Sequence, residues 1–296
     1  MRRLLSILAA GALVAAVAVP VSAATAPVKA SVIYSSLLGN PLPGNSPSVG
    51  AEAYAFNEFG NQVTFTGTKR TLTSVIVTMS SWGCVTGTWY AGNCMTPAGA
   101  TFSEPITFNI YNEPDAGTPN LPGTLITSVT QTFAIPYRPS ASTKCTGASA
   151  GKWYDTSSKT CFNGLADKIT FNFSGVTLPN SVVYGIAYDT SHFGPNPIGE
   201  SAPCYTSSGG CGYDSLNIAL SKDPTNVTAG SNTNPGTVWQ NTSYASNYCD
   251  GGAAGTGFRL DSPTTGSYDP TISGCWSVGA TGSPYYVPAV QFKAGN

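Results

Sequence analysis

The sequence predicts an all-β fold, a jelly-roll-like antiparallel β-sandwich, on three observations. Short apolar runs alternate with a period of two, no run carries the 3.6-residue repeat of a helix, and 33 glycines and 22 prolines punctuate the 296 residues. Thr, Ser, Asn, Val and Tyr fill the runs that a helical protein would build from Ala, Glu, Lys and Leu. Charged residues make up 9% of the chain where about a quarter is usual. Disorder is excluded all the same, because the net charge is -1 and 12 Phe, 15 Tyr and 5 Trp are available to bury. The 13 Lys and Arg are scattered and outnumbered by 14 acids, so there is no basic stripe and no nucleic-acid partner is expected.

The chain begins as an export signal would. Arg2 and Arg3 precede an uncharged apolar stretch over 4–19, and small residues follow at Val21-Ser22-Ala23 and Ala24-Thr25-Ala26. The stretch is shorter than the roughly 20 residues a membrane span needs. The expectation is a signal over 1–23, cleaved as late as 26, and a secreted, extracellular remainder not held by a membrane. LPGTL at 121–125 falls short of a sortase signal, since no apolar segment with a basic tail follows it.

Strands are then expected in order. VIY at 32–34, a stretch near 53–56 and QVTF at 62–65 come first. TLTSVIVTMS at 71–80 sets Val75, Val77 and Met79 on one face and Ile76 and Thr78 on the other. PITFNIYN at 105–112 points Ile106, Phe108 and Ile110 inward, and TLITSVTQTF at 124–133 follows a turn-rich loop. KITFNF at 168–173, VVYGIAYD at 182–189, LNIAL at 216–220 and PAVQF at 288–292 complete about nine or ten strands. Each is apolar on one face, so two packed sheets are the economical solution. The expected organisation is one sandwich domain over 27–296 with a loop-rich insert at about 193–286, where only LNIAL reads as a strand.

Eight cysteines at 84, 94, 145, 161, 204, 211, 249 and 275 suit an oxidising compartment. They allow roughly a hundred connectivities. Spacing favours neighbours, giving Cys84–Cys94, Cys145–Cys161, Cys204–Cys211 and Cys249–Cys275, because a longer stretch separates each pair from the next. Structural zinc would need close Cys pairs or several His, and His192 is the single histidine.

NIYNEPDAGTPNLPGTLITSVTQTF at 109–133 and FSGVTLPNSVVYGIAYDT at 173–190 resemble bacterial exported modules called choice-of-anchor domains. In these a strand ending in an aromatic is followed by a PGT-like turn, and a later strand pairs back. The resemblance covers roughly 50–192 and the last strand. It implies a jelly-roll-like fold on an exported protein and lends no catalytic residues. The eight cysteines depart from that pattern.

Chemistry is thinly marked. His192 lies in DTSHFGPNP with no G-x-S-x-G elbow, so a Ser-His-Asp nucleophile has no support and the histidine reads as a loop residue. Glu52, Glu58, Glu104, Glu113, Asp189 and Asp214 could supply the carboxylate pair of a glycoside hydrolase, as such residues could in any chain of this size. Asp189, Asp214 and Asp250 stand beside Gly, Ser and Asn loops that could offer oxygen ligands to a structural calcium ion, without an EF-hand or Asp-Gly repeat. No other cofactor is expected.

Aromatic residues gather at the cysteines. Trp82, Trp89 and Tyr90 surround the first pair, Trp153 and Tyr154 lie inside the second, Tyr205 and Tyr213 flank the third, and Tyr248 and Trp276 adjoin the fourth. Such rings either cover the disulfides as small local cores or stack on sugar rings beside Asn and Thr hydrogen-bonding groups. The expectation is a secreted, non-catalytic surface or matrix module, with extracellular glycan as its sharpest candidate partner through Trp82, Trp89, Tyr90, Trp153 and Tyr154. A structural coat protein is the blander alternative and a carboxylate-dependent glycoside hydrolase the third.

Overall fold

The computed structural model describes residues 30–39, 44, 46–50, 56–119, 121–188, 216–223, 226–233, 238–242, 259–261 and 285–296. Its strands are β1 (Ser31–Ser35), β2 (Ser48–Gly50), β3 (Phe56–Thr64), β4 (Thr71–Ser81), β5 (Thr101–Tyr111) and β6 (Leu125–Pro136). They continue with β7 (Trp153–Asp155), β8 (Thr160–Phe162), β9 (Leu165–Thr177), β10 (Ser181–Ala187) and β11 (Leu216–Asp223). The last are β12 (Ser231–Asn232), β13 (Val238–Thr242), β14 (Arg259–Asp261), β15 (Tyr285–Pro288) and β16 (Val290–Gly295). One 3-10 turn at Gly147–Ser149 is the only helical element among the described residues.

All pairings are antiparallel and form two seven-stranded sheets and a small hairpin, β7–β8. In the first sheet β4 is flanked by β9 along one edge. Its other edge is shared by β16, up to Val77, and β11, from Met79. β1 adds outside β16, while β2 and β15 add to β11. The second sheet runs β14-β13-β3-β10-β5-β6, with β12 beside the far end of β3. The chain crosses between sheets from β3 to β4, β4 to β5, β6 to β9, β9 to β10 and β10 to β11. That alternation is the jelly-roll-like character the sequence suggests.

Alternation makes the core. Val75, Val77 and Met79 of β4 and Ile106, Phe108 and Ile110 of β5 are fully buried, as their period of two requires. Phe108 lies flat on Tyr184 at 5.5 Å and meets Phe171 at 5.4 Å and Phe292 at 5.7 Å, so one ring joins both sheets. The β6 and β9 edges also approach, where Phe133 meets Phe171 and Asn172 N donates to Gln131 Oε1 at 3.2 Å.

Within 193–286, β11 enters the first sheet and β12, β13 and β14 extend the second. Of these only β11 carries a readable alternation. Thr78, on the face of β4 opposite Val77 and Met79, is buried as well. Beyond β11, Leu220 N donates to Pro47 O at 2.7 Å just before β2 joins the sheet, and Ala166 N of β9 donates to Gly44 O at 3.3 Å.

Candidate functional site

Register brings two loops to one end of the sandwich. Ser81 of β4 faces Leu165 of β9, and Thr101 of β5 faces Pro136 of β6. The β4–β5 loop (82–100) and the β6–β9 loop (137–164) therefore leave the sheets side by side. Cys84–Cys94 closes the first and Cys145–Cys161 the second, as spacing predicts. Cys204, Cys211, Cys249 and Cys275 lie outside the described residues.

The loops are knit into one lobe. Fully buried Arg138 donates from its backbone N to Gly83 O at 3.0 Å and from Nη2 to Gly151 O at 2.9 Å. Ser140 Oγ takes a hydrogen bond from Thr96 N and gives one to Thr96 O, and Ala141 N donates to Cys94 O. Gly92 and Gly151, both at positive φ, touch backbone to backbone, and a Cβ on Gly151 would strike Gly92. Gly164 seats a tryptophan from each loop: its carbonyl receives Trp153 Nε1 at 2.9 Å, and the Trp82 indole fills the space a side chain would take.

The five expected ligand-contacting rings divide. Trp82 and Trp89 meet edge to face at 4.7 Å and Trp89 meets Tyr90 the same way at 6.0 Å, with interplanar angles of 80° and 86°. Trp82 and Trp89 are half-buried, whereas Tyr90 is 54% exposed and Met95 on the same loop is 65% exposed. Trp153 is 7% exposed and packs on Phe162 across the β7–β8 pair. Its neighbour Tyr154 turns to the opposite face of that hairpin, where Lys144 Nζ stands 4.9 Å from the ring centre.

The cations are less scattered than composition suggests: Arg138, Lys144, Lys152 and Lys159 all fall in the second loop, with one acid, Asp155. The first loop has no charged residue. Asp155 is committed to its own turn. Its carboxylate accepts from Ser157 N at 3.0 Å, Ser157 Oγ at 2.9 Å, Ser158 N at 3.3 Å and Ser158 Oγ at 2.7 Å. These donors hold its pKa down at about 2. A count of charge over the whole stretches between expected strands, 82–100 and 137–164, would have exposed this asymmetry in the sequence.

Other candidates stand apart from the lobe. Glu58, on the outer face of β3, lies over Gly185 of β10, and its Oε1 receives Asn109 Nδ2 at 2.9 Å and Tyr111 OH at 3.0 Å. Burial raises its pKa against those two donors. Glu113 accepts from Gln62 Nε2 at 3.3 Å, and Glu104 is buried at 2% exposure on the inward side of β5. Glu52, Asp189, Asp214, Asp250 and His192 lie outside the described residues, as do Tyr205, Tyr213, Tyr248 and Trp276. No group of three or more His, Cys, Asp and Glu side chains gathers as a metal site among the described residues. No helix there is long and apolar enough to cross a membrane.

Compared with models of known protein families, with curated proteins and with solved structures, the chain matches none.

Proposed function

We propose that the chain is an exported, non-catalytic β-sandwich module of a cell surface or extracellular matrix, and that its disulfide-closed lobe binds glycan. The observation that carries the reading is the run Trp82–Trp89–Tyr90, which ends on a largely exposed ring inside a loop closed by Cys84–Cys94. Fixing aromatic rings in an uncharged loop lowers the ordering cost of stacking on a sugar. Tyr154 is the second contact, and Trp153, buried and hydrogen-bonded, positions the lobe from beneath. The two disulfides suit an oxidising compartment, and the leader-like residues 1–23 support export.

A glycan array probed with the folded protein, with and without chelator, tests the reading. Binding should fall roughly five- to thirtyfold in Trp89→Ala and Tyr90→Ala while thermal unfolding stays near that of the parent. An array without any bound glycan, or binding untouched by either substitution, would overturn it.

A further inference from the structure

The glycan reading leaves the sugar class open, and the lobe's charge narrows it. The chain as a whole is at -1, but residues 137–164 hold four cations against one carboxylate. Arg138 is buried and spends its guanidinium on the Gly151 carbonyl, so it shapes the lobe and does not face solvent. Lys144 and Lys159 are exposed and Lys152 is half-buried. Asp155, the one acid within 137–164, is held ionised in its own turn by the Ser157 and Ser158 donors, which leaves the segment with three more cations than anions. Among the described residues no carboxylate pairs with any of the three lysines.

These cations adjoin the rings. Lys144 stands over Tyr154 at 4.9 Å. Lys152 directly follows Gly151, which touches Gly92, two residues beyond Tyr90. A surface that sets ammonium groups beside aromatic faces, with Thr, Ser and Asn filling the remainder, is complementary to a chain of sugar rings bearing anionic substituents. We propose that the lobe's ligand is an acidic glycan, its rings against Trp89, Tyr90 and Tyr154 and its carboxylate or sulfate groups at Lys144, Lys152 and Lys159. The inference rests on the glycan reading and adds the charge of the ligand.

The test compares matched polymers by isothermal titration calorimetry: polygalacturonate against its methyl ester, heparin against desulfated heparin, and poly-glutamate and single-stranded nucleic acid as polyanions without the same sugar faces. An acidic glycan should bind, its neutralised counterpart should bind more weakly, and affinity should drop as salt rises from about 0.05 to about 0.5 M. The K144Q/K152Q/K159Q variant, checked for parental thermal unfolding, should lose about tenfold in affinity, about twofold for each of the three lysines, and most of the salt dependence. W89A/Y90A should lose affinity and keep the salt dependence. Equal binding of neutral and acidic partners, with the lysine variant unaffected, overturns the acidic class and leaves glycan binding standing. No binding by any glycan overturns both, and equal binding of poly-glutamate or nucleic acid overturns the sugar component.

Discussion

The two disulfide loops lie side by side and treat their aromatic rings in opposite ways. In the first, Thr86 and Met95 form a single bridge, and three rings run edge to face out to Tyr90. In the second, the chain between the cysteines folds back as β7–β8, whose pleat turns Trp153 and Phe162 inward together and Tyr154 outward. A disulfide fixes where a loop begins and ends, and the pairing between its cysteines decides which side of it is wet. That difference separates a ring offered to solvent from a ring that serves as a local core.

The largest effect should come from the buried ring. Trp153→Ala removes a packed indole and its hydrogen bond to Gly164 and should cost about 3–5 kcal/mol in urea unfolding, well above the cost of Trp89→Ala. Equal losses would erase the distinction between the loops. Replacing either cysteine pair by alanines should cost about 3 kcal/mol, slightly more for Cys145–Cys161 because its loop is longer. Because Gly92 and Gly151 touch, the combined loss should differ from additive by more than about 0.5 kcal/mol. Strict additivity would mean that the loops act independently.

Gly151→Ala puts a side chain at positive φ against Gly92 and should cost about 1–3 kcal/mol, seen as a lower melting temperature. Tyr90→Ala should stay within about 0.5 kcal/mol of the parent in the same assay. The smallest effect separates the loops by pH. Asp155 falls from 3.8 to about 2 in the fold, so the folded state favours its ionised form. Its contribution is complete above the unfolded value and fades as pH drops toward 2. Amide signals of Ser157 and Ser158 should therefore move over that interval while those of 86–95, which contain no carboxylate, hold still.

Alternation made β4, β5, β9 and β10 legible, because each is long enough to show a period of two and buries one face. β7, β8, β12 and β14 are two or three residues long and have no period to read; their existence depends on partners such as Val63 and Thr64 for β12. Thr78 is fully buried on the face of β4 opposite Val77 and Met79, and the local pattern, polar at that position, does not announce it. At the candidate site, the clustering of rings around Cys84 and Cys145 was legible. Which rings stay buried was not, since that turns on the β7–β8 pleat and on the Gly92–Gly151 contact between loops some 60 residues apart.

β16 sits between β1 and β4, with Ser31 facing Ala294 and Val75 facing Phe292. The strand at 31–35 thus reaches its sheet only through the one at 290–295. While the chain is still being made, β4 and β9 have each other, but β1 has no neighbour in that sheet and Phe108 lacks one of the rings it packs against. Closure must wait for residues 290–295, which makes it slow and late.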